Sequence, residues 1–173
     1  LNIKGGTFTQ NNFIVIKVDR GDLFLNGGTL NSANSYAIEN WKRATVKGGT
    51  VNGAVSSWTY SSGSNSELTI SCGTINGNVT SVNYGNTTDK KATVSVTGGT
   101  IKGELDTRAY DPKAGLTSIN DAAKATIEVT GGTFDIDPSK YVTEAAVMTE
   151  NEDGTFGVAK TPLATVGDKS YYT

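Results

Sequence analysis

Aromatic side chains recur at fixed distances after a threonine that is repeated along the chain. Tyr60, Tyr84 and Tyr110 each lie ten residues beyond such a threonine, and Trp58 lies eight residues beyond one. If side chains alternate between inside and outside from the apolar residue after the threonine, these positions face outward in one column. Flat rings spaced along a rigid surface suit sugar rings or a protein partner. The candidate ligand-binding residues, which include a nearby tryptophan and an arginine aligned with Trp58, are Trp41, Trp58, Tyr60, Tyr84, Arg108 and Tyr110.

A simpler interpretation of the same column needs no ligand. The rings would form an aromatic ladder that stabilises the stacking of neighbouring repeats. Alternatively, a turn would reverse the alternation and bury the rings. The sequence leaves these interpretations open.

The segment closest to an active site is Glu104-Leu105-Asp106-Thr107-Arg108. On a strand, Glu104, Asp106 and Arg108 share one outer face. Carboxylate oxygens suit Ca²⁺, and a nearby arginine could act on an acidic sugar. The neighbouring repeats hold no acidic residues at the aligned positions, which favours a solvated polar face with ion pairs worth ~0–1 kcal/mol each. Glu104 and Asp106 are therefore metal ligands, and Ca²⁺ a cofactor, only under an enzyme hypothesis.

The overall composition argues against several function classes. The chain has no histidine, the commonest general base, and a single cysteine, Cys72, so no internal disulfide can form. Its net charge of −2, with no block of like charge, argues against nucleic acid binding. No apolar run approaches the ~20 residues that span a bilayer. We therefore predict no catalytic residues, no resident metal or cofactor, and no membrane insertion.

The elements that position these side chains follow from six copies of a glycine motif. Each copy follows a short alternating run and precedes a large apolar residue, and successive threonines lie 22, 21, 24, 26 and 33 residues apart. Such steps are typical of a solenoid whose coils hold three short strands. The sequence predicts an all-β, right-handed parallel β-helix of about six coils, with the second glycine at a bend that needs φ > 0. The copies are Gly5-Gly6-Thr7, Gly27-Gly28-Thr29, Gly48-Gly49-Thr50, Cys72-Gly73-Thr74, Gly98-Gly99-Thr100 and Gly131-Gly132-Thr133.

The pattern stops after Gly132, which suggests three segments. Residues 1–135 form the β-helix in this interpretation. Residues 136–160 form a C-terminal cap with a short helical turn and a hairpin, because a solenoid end exposes strand edges that need cover. Residues 161–173 are a linker or the start of a next module.

The end of the repeat resembles a known family. The string Val129-Thr130-Gly131-Gly132-Thr133-Phe134, with Asp137-Pro138-Ser139-Lys140-Tyr141-Val142 and Asp153-Gly154-Thr155-Phe156-Gly157-Val158 after it, is similar to the repetitive β-helix surface proteins of Gram-positive gut bacteria. In these proteins a Gly-Asp-x-x-Tyr-x-Thr segment, similar to residues 167–173, often begins the next module. The resemblance implies an extracellular location at the bacterial surface or wall, and adhesion or carbohydrate binding. It supplies no catalytic motif.

Together these observations predict a non-catalytic module of a bacterial cell-surface protein. It would bind a glycan or a host surface protein along a flat side of the β-helix, next to other modules of the same chain. Two alternatives remain: a polysaccharide lyase or hydrolase that acts on acidic glycans, and a passive stalk or spacer.

Overall fold

The computed structural model describes residues 1–59, 63–85, 87, 89–162, 164–166 and 169–171, and it is all-β. Tyr60, one of the predicted site residues, lies outside the described residues. The elements are β1 (Asn2–Ile3), β2 (Thr7–Gln10), β3 (Ile16–Val18), β4 (Asp22–Leu25), β5 (Thr29–Asn40), β6 (Arg43–Thr59), β7 (Ser66–Ile75), β8 (Val79–Tyr84), β9 (Ala92–Ile101), β10 (Leu105–Asp111), β11 (Gly115–Ser118), β12 (Ala125–Phe134), a 3₁₀ helix (Ser139–Tyr141), β13 (Ala146–Glu150), β14 (Phe156–Lys160), β15 (Ala164–Val166) and β16 (Lys169–Tyr171).

Each coil passes through three parallel sheets, and the longer strands bend from one sheet into the next. The first sheet holds the segments before the glycine pair, the second begins at the repeated threonine, and the third follows the next corner. In-register side chains from all three sheets meet in one core, as the repeat predicts. The columns are Ile3, Leu25, Val46, Ile70, Val96 and Val129 in the first sheet, Leu30, Val51, Ile75, Ile101 and Phe134 in the second, and Ile16, Ile38, Val55, Val79 and Leu105 in the third. Phe8 is in register with the second column but lies exposed at the open N-terminal end.

The parallel β-solenoid predicted from the repeat is confirmed, but it has about four turns, fewer than the motif count suggests. Six motifs enclose only five intervals, and the last interval is irregular. There β11 folds back and pairs antiparallel with β10, so that Asp111 lies opposite Gly115. β10 stays in the parallel stack through its pairing with β8, and β11 adds an antiparallel strand beyond it before the chain returns to the first sheet at β12. The longest spacing between threonines therefore marks a departure from the coil rather than another regular coil.

The second glycine of each pair carries the demanding conformation, as predicted. At Gly49 the backbone φ is +87°, in the left-handed region that side chains with a Cβ rarely adopt. A Cβ built there would also lie 2.6 Å from the carbonyl oxygen of Gly28 in the preceding coil. The first glycine of each pair does not have a positive φ, and Cys72 takes its place in one copy, where the pairing with Lys47 shifts in register. Stacked coils therefore touch backbone to backbone at this corner.

An asparagine ladder on the second sheet reinforces the alignment of the coils. The side-chain amide of Asn52 donates to Oδ1 of Asn31 at 2.7 Å, and that of Asn76 donates to Oδ1 of Asn52 at 2.6 Å. Asn31 in turn donates to the Thr9 hydroxyl at 3.1 Å. Three asparagines and one threonine thus link four successive coils, which penalises any slip in register.

A buried polar seam closes the corner from which loops of different length leave the third sheet. The seam is a column of in-register residues, Asn40, Ser57, Ser81 and Thr107. Ser57 Oγ donates to Ser66 Oγ at 2.9 Å, and Ser81 Oγ donates to the Ala92 carbonyl at 2.9 Å. The seam thus holds the first residues of β7 and β9, and it satisfies polar groups that would be costly to bury alone.

The C-terminal end of the solenoid is capped as predicted. After the 3₁₀ helix, β13 and β14 form an antiparallel hairpin, and β14 pairs antiparallel with β12. This pairing covers the last parallel strand, whose edge would otherwise be open to other chains. Beyond the cap, β15 and β16 pair with each other. The division into three segments stays a prediction.

The glycine corner gives the first testable prediction. We expect Gly49→Ala to lower the free energy of unfolding by ~2–4 kcal/mol, because left-handed strain adds to the clash with the Gly28 carbonyl. Gly5→Ala is the matched control, since a Cβ at Gly5 meets nothing within 4 Å. Urea unfolding followed by circular dichroism measures both. Equal stability of the two variants would contradict the proposed close contact between coils.

Candidate ligand-binding site

Aromatic rings gather on the outer face of the third sheet. Trp58 lies between two inward-facing residues, Ser57 and Thr59, and so points outward, as the alternation predicts. The ring centroids of Trp41 and Trp58 are 5.5 Å apart, with the planes inclined by 22°. Those of Tyr84 and Tyr110 are 4.8 Å apart, inclined by 27°. We call the full group the aromatic cluster, and it comprises Tyr36, Trp41, Trp58, Tyr84 and Tyr110.

The rings of the aromatic cluster also reach across a coil. Val82 lies in register between Trp58 and Arg108. The Trp58 and Tyr110 rings come within 6.0 Å of each other although their strands are two coils apart. Val82 is fully buried and Trp58 is only 7% exposed. Rings from the coils on either side therefore close over the small valine.

This burial corrects the expectation of an open row of rings. Trp58 does not offer a flat face to solvent. It acts as part of an aromatic ladder that stabilises the stacking of neighbouring coils. Trp41, Tyr84 and Tyr110 remain partly exposed and form the accessible border of the aromatic cluster. The sequence placed these residues on the correct face, but it could not tell how far the rings cover one another.

The polar edges of the tryptophans are used within the protein. Trp41 Nε1 donates to Oε1 of Glu39 at 2.7 Å, two residues earlier on the same strand. Trp58 Nε1 likewise donates to Ser56 Oγ at 2.7 Å. A ligand at this face would therefore meet carbon surfaces of the indoles rather than free N–H donors.

Arg108 also has a hydrogen-bond partner within the protein, because its guanidinium group forms an ion pair with Asp106. Its Nε donates to Oδ2 of Asp106 at 2.8 Å, and the same oxygen accepts from Ser118 Oγ at 2.7 Å. Glu104 lies exposed before β10 and does not join this pair. Within the described residues, no group of three or more histidine, cysteine or acidic side chains is placed to hold a metal ion. In the same part of the chain, no helix is long and apolar enough to cross a membrane.

Tyr36 is a member of the aromatic cluster that the sequence pattern did not reveal. Its ring meets Trp58 edge-on, with centroids 6.0 Å apart and planes at 87°. Burial raises the pKa of the Tyr36 hydroxyl, and the nearby Glu39 carboxylate adds to that effect. Tyr36 pairs with Ala54 inside an irregular part of β5, where the register shifts on both sides. Counting from the threonine fails there, because the irregularity changes which positions face outward.

The same irregularity explains why Trp41 aligns with Trp58. Ile38 lies seven positions after Asn31, whereas their partners Val55 and Asn52 lie only three positions apart. The four additional residues move Trp41 to twelve positions beyond its threonine, yet it stacks on Trp58.

A cavity of about 590 Å³ opens where the aromatic cluster ends at Trp41. The cause is the first coil, in which Val18 pairs with Asn40, so that the next residue, Asp19, takes the position in line with Trp41. A short carboxylate stands there in place of another ring. The cavity is lined by Lys17, Asp19, Arg20, Gly21, Trp41, Lys42, Thr59, Gly63 and Ser64, most of which no repeat pattern singles out.

Charged groups surround the indole in this cavity. Lys17 Nζ lies 5.6 Å from the centre of the Trp41 ring, 3.3 Å from Oδ1 of Asp19 and 3.9 Å from Oε1 of Glu39. Lys42 Nζ donates to Ser64 Oγ at 3.0 Å. An aromatic wall, hydrogen-bond donors and one carboxylate thus come together, which is a suitable set for a polyhydroxylated ligand.

The aromatic cluster gives a prediction about stability. We expect Trp58→Ala to lower the free energy of unfolding by ~3–5 kcal/mol, because it removes a buried ring that packs against three others. Phe24→Ala is the control, since that ring lies on the first sheet and is 37% exposed. Thermal unfolding followed by circular dichroism compares them. A Trp58→Ala protein as stable as the Phe24→Ala protein would mean that the aromatic cluster does not stabilise the stack.

Comparison of the chain with protein-family models, with curated proteins and with solved structures finds no match. The fold is therefore known from the chain's own geometry. A solenoid scaffold does not determine a function, so the functional argument has to come from the chemistry of the site.

Proposed function

We propose that this chain is a non-catalytic, glycan-binding module of an extracellular bacterial surface protein. The observation that carries the proposal is the cavity beside Trp41, where an indole wall meets cationic, anionic and hydroxyl side chains. The location at the cell surface follows from the resemblance of the repeat and cap motifs. In the parent protein the module would contribute to adhesion.

The chemistry of the cavity fits a sugar. Sugar rings have apolar C–H faces that pack on aromatic side chains, and hydroxyl groups that need donors and acceptors around them. Trp41 supplies the aromatic surface. Lys42 and Ser64 supply donors, and the Asp19 carboxylate supplies acceptors, at positions around the same space.

The scaffold favours binding because it keeps these side chains in place. The lining residues come from three successive coils, with Asp19 from the first, Trp41 from the second and Thr59 from the third. Trp41 is fixed by stacking on Trp58 and by its hydrogen bond to Glu39. A preorganised site loses little entropy when a ligand binds.

A passive stalk is the second candidate function. The in-register core columns and the asparagine ladder favour it, because they make a stiff stack that could carry other modules. The lyase or hydrolase alternative has less support, since Arg108 and Asp106 pair with each other at 2.8 Å.

A glycan array, followed by calorimetric titration of the ligands it identifies, tests the proposal. We expect the native protein to bind at least one glycan, and Trp41→Ala to weaken that binding about tenfold or more through loss of the aromatic wall. Phe24→Ala, which removes a ring on another sheet, should leave the affinity unchanged. If the alanine variant is unstable, Trp41→Leu replaces it in the titration, because leucine keeps an apolar cover over Trp58 but removes the aromatic ring.

Two results would contradict glycan binding at this site. One is an array on which the native protein binds nothing, which would favour the stalk. The other is a bound glycan whose affinity is the same for the native protein, Trp41→Ala and Trp41→Leu.

A further inference from the structure

We infer that the cavity beside Trp41 selects acidic glycans, and that Arg20 and Lys42 recognise the carboxylate of a uronic acid residue. The inference rests on the proposed glycan-binding function and specifies the ligand class. It starts from the charges around the cavity. The lining residues carry three positive charges, on Lys17, Arg20 and Lys42, against one negative charge, on Asp19.

The three cations are not equivalent. Lys17 is balanced within the protein, since its ammonium group lies 3.3 Å from Asp19 and 3.9 Å from Glu39. Lys42 donates to the neutral hydroxyl of Ser64 and forms no ion pair among the described residues, although, together with the hydrogen bond from Arg43, its charge lowers the pKa of the Asp22 carboxyl. Arg20 has neither an ion pair nor a side-chain hydrogen bond within that part of the chain. Two positive charges at the cavity are thus free to meet an anion.

The other two arginines of the chain are both held in ion pairs. Arg43 pairs with Asp22 at 2.6 Å, and Arg108 pairs with Asp106 at 2.8 Å. The chain as a whole carries a net charge of −2. The local excess of positive charge at the cavity is therefore opposite in sign to the whole molecule, and it would attract an anionic ligand rather than repel it.

The geometry of the side-chain groups fits a carboxylate attached to a sugar ring. An arginine presents N–H groups in a planar fork that matches two carboxylate oxygens. The lysine adds a second charged donor. Trp41 lines the same cavity as these two cations and offers an aromatic surface to the sugar ring that bears the carboxylate. Asp19 and Glu39 share the Lys17 ammonium group, so Arg20 and Lys42 leave the surroundings of the cavity with a net excess of one positive charge.

The test compares oligogalacturonate with its methyl ester, two ligands with the same sugar rings but different charge. We expect the native protein to bind the acid form about tenfold more tightly than the ester at low salt, and the preference to shrink as sodium chloride screens the charges. Arg20→Gln and Lys42→Gln should each reduce affinity for the acid about threefold to tenfold and leave affinity for the ester nearly unchanged. Lys47→Gln is the control and should leave both affinities unchanged, because it removes a cation that lies over the Phe24 ring on the first sheet, away from the cavity.

The outcomes separate this inference from the proposed function. Equal affinity for acid and ester, with both lost in Trp41→Ala, would overturn the acid preference and leave glycan binding intact. An acid preference that persists in the Arg20→Gln, Lys42→Gln double variant would overturn the assignment to this cavity. If the native protein binds neither oligosaccharide but binds a neutral glycan on the array, the acid preference alone fails. If it binds no glycan at all, both proposals fail.

Discussion

Close backbone contact at the glycine corners is the constraint on which the rest of this protein depends. Parallel strands in neighbouring coils are about 4.8 Å apart, and at the corner nothing but hydrogen fits between them. A Cβ at Gly28 would lie 2.7 Å from the carbonyl oxygen of Gly6, and a Cβ at Gly73 would lie 2.8 Å from that of Gly49. Because the corners stack directly, the strands on either side of them keep one register. The aliphatic columns inside and the aromatic cluster outside both follow from that register.

The aromatic cluster and the cavity are two results of the same alignment. Where successive coils place rings in line, the rings pack on one another and cover a small residue such as Val82. Where the first coil places Asp19 in that line, the stack ends and a cavity remains. The part of the outer face that stabilises the protein and the part that can bind a ligand are therefore adjacent. Trp41 belongs to both, since it stacks on Trp58 and lines the cavity.

The sequence predicted the features that depend on the repeat, and its predictions were wrong or incomplete where the repeat is interrupted. The glycine motif was enough for the fold class, the core columns and the left-handed bend, because each depends on residues that recur. The turn count was too high, because the hairpin of β10 and β11 interrupts the last coil. Tyr36 was missed because the register shifts around it in β5. The burial of Trp58 depends on rings two coils apart, and the cavity on residues such as Arg20 that lie outside the recurring pattern. Neither has a signature in sequence spacing.

The polar seam at the third corner has a consequence for how the sequence of such a protein can diverge during evolution. Ser81 and Thr107 hold the chain where it returns from a loop, by bonds to the backbone oxygens of Ala92 and Ile119. Backbone oxygens are present in every residue, so the anchoring does not depend on the loop's own sequence. Insertions and substitutions in these loops can accumulate without disturbing the stack. The cavity opens along this same edge, near Gly63 and Ser64. Diversity in ligand recognition can thus arise by exchange of loops on a constant framework, much as it does in antibody variable domains.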